Sequence, residues 1–339
     1  MRGGDVEGWP YTTFPTGWFQ IEWSKELASG QVKTLRYFDR DIVLYRTESG
    51  LPVATDAYCP HLGAHLGRGG CVMGENLRCP WHGWQWDTEG RNAEIAFVDM
   101  THPKARLGQW ELREMNGLII VWYDALGRPP MWEFPGVPEY SDAGYYEPFT
   151  AVMGPAVLNP QQPRENTADL YHFPFVHGSA EPSELAEMEE REHILYETMD
   201  LKLGGGKAST WLTPNGPVNA QIVTNLYGLG LGVDRVIVDD DLTVVQVVAV
   251  TPVTKTESVL LSTTAGTREP GTTEPTGRSK RMMESQHLQI GNDFEIWAHQ
   301  KYVTKPYYAP KEGRFFNRVR SWAHQFYPAD QHELVEHDG

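Results

Sequence analysis

The sequence predicts an α+β protein with two domains: an N-terminal all-β domain, then a domain in which helices flank a central antiparallel sheet. The chain has 339 residues, more than a single domain of about 150 residues. Short strand-like runs separated by glycines occupy the first third, and longer β-rich runs followed by helix-like segments occupy the rest. With 40% apolar residues, the composition is that of a folded globular protein.

The N-terminal domain is predicted from apolar runs at positions 32–38, 42–46 and 118–122. Glycines that mark turns between such runs are Gly50, Gly90 and Gly117. A breaker cluster at 127–130 (Gly-Arg-Pro-Pro) places the domain boundary near residue 128. We therefore expect an N-terminal arm over residues 1–16, a β domain over 17–127 and a second domain over 128–339.

The second domain is predicted to contain an antiparallel sheet, because β-rich runs at 235–238 and 242–250 are separated by turn-prone aspartates. A helical segment is expected to open at Pro163 and run towards His177. The acidic stretch 181–192 is expected to form a solvent-exposed surface. Residues 265–279, rich in Gly, Thr and Pro, are expected to form a loop, and helices are expected at 281–302 and 315–327.

Charge and cysteine content exclude several classes of function. The chain carries 29 Lys and Arg against 45 Asp and Glu, a net charge of -16 that repels nucleic acids and anionic membrane surfaces. Its longest apolar runs fall short of the roughly 20 residues of a membrane-spanning helix, and the N-terminus lacks a signal-like apolar segment. Because the 3 cysteines fall in one short window, we expect a metal site and a cytoplasmic location.

Two of these cysteines belong to a paired motif, C-x-H and C-x2-H, formed by Cys59 with His61 and Cys79 with His82. A zinc site could use all four side chains on one tetrahedral ion. A Rieske [2Fe-2S] cluster instead binds two cysteines on one iron and two histidines on the other, which two equivalent loops supply directly. We favour the cluster, because prolines and glycines repeat in both loops, and keep zinc as the alternative.

The segments Cys-Pro-His-Leu-Gly at 59–63 and Cys-Pro-Trp-His-Gly-Trp at 79–84 resemble the Rieske domain of the Rieske non-heme iron oxygenases. Respiratory Rieske proteins carry an additional disulfide at the positions of Ala64 and Trp81, and neither residue is cysteine here. The resemblance is therefore to the oxygenase type.

A second motif, D-x2-H-x4-H, comprises Asp169, His172 and His177. On a straight helix Asp169 and His172 share a face, whereas His177 points elsewhere. Pro174 should kink the backbone and so bring both imidazoles to one ion. Two neutral imidazoles and one carboxylate form the facial triad of mononuclear non-heme iron(II), which leaves open positions for oxygen.

The family resemblance implies roles for these residues. It assigns His172 and His177 as iron ligands, and Asp169 as the carboxylate that links the iron to the Rieske cluster of a neighbouring subunit. The segment 292–297, Asn-Asp-Phe-Glu-Ile-Trp, resembles the stretch that carries the third ligand in steroid-hydroxylating members, which points to Asp293. Glu295 is the second candidate and Glu284 the third.

Within the family, the chain most resembles the oxygenase components of 3-ketosteroid 9α-hydroxylases, with Neverland-type sterol 7-desaturases as relatives. Segments that carry this resemblance are 117–122, 293–297 and 320–327. It implies O2-dependent hydroxylation of an apolar polycycle, a separate NAD(P)H-dependent reductase with flavin and iron-sulfur centres, and a homotrimer. The stretch 178–184 departs from the hydroxylases near their substrate entrance, which leaves the substrate open.

Alternatives remain at this point. Another substrate could undergo aromatic or alicyclic hydroxylation, demethylation or desaturation, or the chain could be an electron carrier without catalysis. A binding domain that is stabilised by a structural zinc ion is the remaining possibility. If the chain is an oxygenase, candidates for an apolar substrate pocket are Met153, Phe173, Phe175, Trp211 and Phe294.

Overall fold

The computed structural model describes residues 9–206 and 209–329, and the chain divides into two compact units. One unit spans Gln20–Trp122, and the other combines the described residues up to Phe19 with those from Tyr123 onward. Residues 1–8 of the expected N-terminal arm lie outside the described residues.

The N-terminal unit is built from short antiparallel strands in three small sheets, with strand orders β1-β10-β9, β2-β3-β4 and β5-β6-β7-β8. The strands are β1 (Gly17–Trp23), β2 (Val32–Tyr37), β3 (Arg40–Arg46), β4 (Pro52–Asp56), β5 (Cys71–Met73), β6 (Asn76–Arg78), β7 (Gln85–Trp86), β8 (Asn92–Glu94), β9 (Leu112–Met115) and β10 (Leu118–Tyr123).

The hairpin between β9 and β10 has a two-residue loop that the sequence favours. Asn116 and Gly117 join β9 to β10, and both have positive φ, at 47° and 81°. This is the Asn-Gly combination that matches the twist of paired strands. The core of the unit is apolar and includes Tyr45, Leu66, Leu77 and Trp86.

The second unit is organised around a seven-stranded antiparallel sheet of order β11-β17-β16-β15-β14-β13-β12, which confirms the predicted central sheet. Its strands are β11 (Phe149–Val157), β12 (Glu184–Arg191), β13 (Ile194–Leu203), β14 (Val218–Tyr227), β15 (Leu231–Asp239), β16 (Leu242–Pro252) and β17 (Glu257–Gly266).

Within the described residues, four α-helices accompany the sheet: α1 (Gln161–Asn166), α2 (Phe173–Val176), α3 (Gly277–Trp297) and α4 (Gly313–Ala323). Helix α3 packs on β16 and β17, where Ile290 and Trp297 join Val248 and Leu260 in an apolar cluster. Helix α4 packs against α1. None of the described helices is both long and apolar enough to cross a membrane.

Several predicted boundaries were wrong. The helix expected from Pro163 to His177 is two short helices, α1 and α2, because residues 167–172 leave the helical path. The acidic stretch 181–192 contains the edge strand β12, whose carboxylates can remain in solvent while its backbone pairs with β13. Helix α3 begins at Gly277, inside the expected loop, and ends at Trp297, before the expected end at 302.

Candidate metal centres

The two cysteine loops of the N-terminal unit repeat one hydrogen-bond pattern. The amide of Cys59 donates to the carbonyl of Ala64, and that of Cys79 donates to the carbonyl of Trp84, both at 2.8 Å. Gly63 and Gly83 then donate back to the cysteine carbonyls at 2.9 and 3.2 Å. Both glycines have positive φ, at 77° and 68°, which residues with a Cβ rarely adopt. The loops are therefore equivalent in backbone as well as in sequence.

The side chains of these loops converge. Cys59 and Cys79 are buried, and the rings of His61 and His82 lie 4.8 Å apart between centroids. The indole of Trp84 stacks on His61 at 4.5 Å and 9°. Burial raises the pKa of the Cys59 thiol, and the adjacent Cys79 raises it further. Thiolates at this position therefore need a cation to balance them, so the donor set suits an iron cluster.

The two histidines of the second motif flank a single helical turn. His172 precedes α2 and His177 follows it, with the His177 amide donating to the Phe173 carbonyl at 3.1 Å. Pro174 lies in the first turn of α2, where its missing amide hydrogen is not needed. It therefore starts a helix and does not kink one, contrary to the expectation from sequence. The single turn brings both rings to one side.

Helix α3 supplies a carboxylate to the same place. The Nε2 atoms of His172 and His177 lie 3.0 Å apart, and Asp293 Oδ1 lies 3.9 Å from the first and 3.3 Å from the second. The side chains of Glu295 and Glu284 are 79% and 50% exposed and do not join the group. Two imidazoles and a carboxylate on separate elements form a donor set that suits iron(II).

The tautomer of His172 is set by the backbone. Its Nδ1 lies 2.7 Å from the carbonyl oxygen of Asp169, which can only accept, so Nδ1 carries the hydrogen and Nε2 keeps its lone pair for a metal. Burial lowers the pKa of the His172 imidazole, which keeps it neutral. The carboxylate of Asp169 accepts the Tyr171 amide at 2.9 Å and is 3.8 Å from His172 Nδ1.

A cavity opens beside this group. Phe173 and Trp211 line it, as the sequence suggested, together with Met199, Ile222, Leu226, Val248, Ile290 and Trp297. Phe175 was a wrong candidate, since it is 88% exposed. Met153 and Phe294 instead pack against the apolar cluster beneath α3.

The polar lining of the cavity was not predicted from the sequence. Arg164 is fully buried and donates from Nε and Nη2 to the carbonyls of Leu229 and Val248, at 3.1 and 2.9 Å. Burial lowers the pKa of this guanidinium to about 10. Asp234 also lines the cavity, and burial raises the pKa of its carboxyl. Polar residues that alternate with apolar ones in these strands could have indicated a polar lining. They do not reveal which strands are neighbours in the sheet.

Comparison with known proteins agrees with this geometry. Residues 17–103 match the model of the Rieske [2Fe-2S] domain, and residues 121–327 match that of the 3-ketosteroid 9alpha-hydroxylase C-terminal domain. The protein is thus an oxidoreductase of the Rieske oxygenase class, with a domain of the [2Fe-2S] type and with His172, His177 and Asp293 as a candidate site for a second metal. The chain belongs to the family of oxygenase components that share the 3-ketosteroid 9α-hydroxylase C-terminal domain.

Curated relatives span nearly the whole chain. Cholesterol 7-desaturase nvd of Bombyx mori is 28% identical over 96% of this chain and 72% of its own length. The oxygenase component of 3-ketosteroid-9-alpha-monooxygenase from Rhodococcus rhodochrous is 26% identical over 93% of this chain and 84% of its own.

Solved structures share the fold. Dicamba monooxygenase bound to dicamba superposes with a TM-score of 0.67 at 18% identity, covering 96% of this chain and 100% of that one. NdmB of Pseudomonas putida CBB5 superposes with a TM-score of 0.69 at 16% identity, covering 90% and 89%.

Proposed function

We propose that the protein is the terminal oxygenase of a multicomponent system and hydroxylates an apolar polycyclic substrate of the steroid class, with 3-ketosteroids as the first compounds to test. The observation that carries this proposal is the position of His172, His177 and Asp293 at the wall of a largely apolar cavity. An electron carrier would not need such a cavity. The name of the Rhodococcus relative supports the substrate class.

The donor sets assign the ligands. Cys59, Cys79, His61 and His82 hold the cluster, and His172, His177 and Asp293 hold the iron. When bound, the iron supplies activation of O2 and the cluster supplies electrons one at a time. Around them, the chain's own residues position the substrate: Phe173 and Trp211 exclude water beside the imidazoles, and the apolar strands orient a rigid carbon skeleton.

The electron supply requires a partner. We infer a separate NAD(P)H-dependent reductase of the flavin and iron-sulfur type, since the sequence carries no convincing nucleotide-binding glycine motif. We further propose that Asp169, whose part-exposed carboxylate lies 3.8 Å from His172 Nδ1, couples the iron to the cluster of a neighbouring subunit in a homotrimer. No disulfide joins the three cysteines, all of which lie in the described part of the chain, and this supports the reducing, cytoplasmic location that we propose.

We further propose that residues 17–127 form the Rieske domain and residues 128–339 the catalytic domain, preceded by an arm over residues 1–16. The two family matches end at 103 and begin at 121, and the compact N-terminal unit ends at Trp122, a few residues before the proposed boundary.

A single-turnover experiment tests the function without the natural reductase. Iron-loaded protein is reduced chemically and mixed with 18O2 and a panel of 3-ketosteroids, sterols and smaller aromatic compounds. We expect an 18O-labelled hydroxylated steroid, detected by mass spectrometry. Turnover of aromatic compounds alone would contradict the steroid class, and turnover of no compound would contradict the oxygenase proposal.

Desaturation of a sterol is the second candidate, because the cholesterol 7-desaturase of Bombyx mori is similar over 96% of this chain. Both reactions consume O2, but desaturation leaves no oxygen in the product. The same experiment separates them, since a desaturated product lacks 18O.

A further inference from the structure

A row of polar side chains crosses the central sheet beneath α3. Glu197 pairs with Thr224, Thr224 with Asp234, Asp234 with Gln246, and Gln246 with Thr264 in the strand register. Directly paired residues of antiparallel strands point to the same face, so these five side chains form one row. Three of them, from β14, β15 and β16, line the cavity beside the proposed iron site.

Hydrogen bonds engage the side-chain donors of two residues in this row. Thr224 Oγ1 donates to Asp234 Oδ1 at 2.6 Å. Gln246 Nε2 donates to the hydroxyls of Ser262 and Thr264 at 2.9 and 3.1 Å. Thr224 and Gln246 therefore have no free donor for a ligand in the cavity.

Gln286 of α3 extends the row into the cavity. Its Nε2 donates to Gln246 Oε1 at 3.0 Å. The residue is only 9% exposed and lines the cavity. Its Oε1 has no hydrogen-bond partner among the residues that the structure describes. The chain of hydrogen bonds thus ends in a buried acceptor without a partner within the described ranges, on a residue that lines the cavity.

We propose that Gln286 Oε1 accepts a hydrogen bond from a substrate hydroxyl, so that the enzyme selects polycyclic alcohols over the corresponding ketones. This inference rests on the proposed function, since it takes the cavity as the substrate site. A hydroxyl donates to Oε1, whereas a ketone has only lone pairs and leaves the buried acceptor unpaired. Sites built to bond a polar group discriminate strongly against analogues that lack the matching donor.

The position of Gln286 also limits where oxidation occurs. Gln286 and Asp293 are seven residues apart on α3, about two helical turns or roughly 10 Å along the axis. A substrate anchored at Gln286 therefore presents to the iron a carbon on a ring other than the one that bears the hydroxyl.

The test measures dissociation constants of four steroids for the iron-loaded protein by titration calorimetry. Testosterone and androstenedione differ only in a hydroxyl or ketone at carbon 17, and cholesterol and cholest-5-en-3-one differ only at carbon 3. We expect the alcohol to bind roughly tenfold more tightly in one of the two pairs, as one additional hydrogen bond provides. This preference should disappear in Gln286→Met, which removes the acceptor at similar volume.

Gln289→Met is the matched control. Gln289 lines the same cavity, but its amide already contacts the Ser285 carbonyl at 3.0 Å and the Thr210 hydroxyl at 2.8 Å, so the preference should persist.

If Gln286→Met does not fold, Gln286→Glu retains an acceptor and should keep the preference. Equal or tighter binding of both ketones, loss of the preference in Gln286→Glu, or its survival in Gln286→Met overturns the inference. Failure of all four steroids to bind would instead overturn the proposed substrate class.

Discussion

Arg320 of α4 donates two hydrogen bonds to one carboxylate oxygen of Glu165 in α1, from Nε at 3.0 Å and from Nη2 at 2.8 Å. The other oxygen of Glu165 lies 2.8 Å from Gln161 Nε2 and 3.3 Å from the hydroxyl of Tyr302. Since α1 leads directly into the loop that carries His172, this buried pair fixes the start of the iron-binding segment.

Arg320→Met should destabilise the protein by about 3 kcal/mol, because it leaves the Glu165 carboxylate buried without its cation. Urea unfolding followed by circular dichroism measures the change. Arg318→Met on the same helix breaks only the half-exposed pair with Glu190 and should cost less than about 1 kcal/mol. Equal effects of the two substitutions would contradict a structural role for the buried pair.

Glu197 should make stability fall as pH rises towards neutrality. Burial raises the pKa of Glu197 from 4.5 to about 7. A raised pKa in the folded state contributes stability that is complete below pH 4.5 and is lost as pH rises through 7. Glu197→Gln should therefore be more stable than the wild type at pH 8, by roughly 3 kcal/mol, and similar to it near pH 4.

The measurement for Glu197 is the difference in unfolding free energy between variant and wild type from pH 4 to pH 8. Glu187→Gln, on the exposed edge strand, serves as the control and should leave the pH dependence unchanged. A difference for Glu197→Gln that does not vary with pH would show that the carboxyl has the same pKa in the folded and unfolded states.

Asp293→Ala should lower the iron content from about three to about two atoms per chain, because the cluster retains its two irons while the mononuclear site loses its carboxylate. Iron is measured by mass spectrometry, and the reduced cluster by its EPR signal. Glu295→Ala, two residues away on α3 with an exposed side chain, should keep about three. Three atoms in both variants would remove Asp293 from the ligand set.

Cys59→Ala should abolish the visible absorption and the reduced-state EPR signal of the Rieske cluster, because an alanine offers no thiolate. Cys71→Ala is the control. Cys71 is a half-buried cysteine that lies opposite Arg78 in the β5–β6 hairpin. Its replacement should preserve both the absorption and the EPR signal. A colourless wild-type protein that contains zinc would falsify the cluster assignment.

Local features were predictable from the sequence. The cysteine loops could be recognised because their ligands, prolines and glycines lie within a few residues of one another. The central sheet followed from long β-branched runs, and Gly117 marks a hairpin turn as expected. Asp293 was reached through family resemblance, and the structure places it beside His172 and His177.

Features that depend on long-range register were not predictable. The polar row exists because Thr224, Asp234 and Gln246 meet across three strands, and no sequence spacing encodes that alignment. The exposure of Phe175 was missed for a similar reason, since α2 is too short for an apolar periodicity to indicate which side is buried. Pro174 was misread because the same residue disrupts a helix interior and favours a helix start.

Asp169 holds the ring of His172 with its main-chain carbonyl and not with its side chain. Since every amino acid has a carbonyl group, replacing the side chain at residue 169 leaves the ring of His172 held at its Nδ1. Under the role proposed for Asp169, replacing its carboxylate should slow electron transfer between the two centres, while His172 keeps its contact with the main chain.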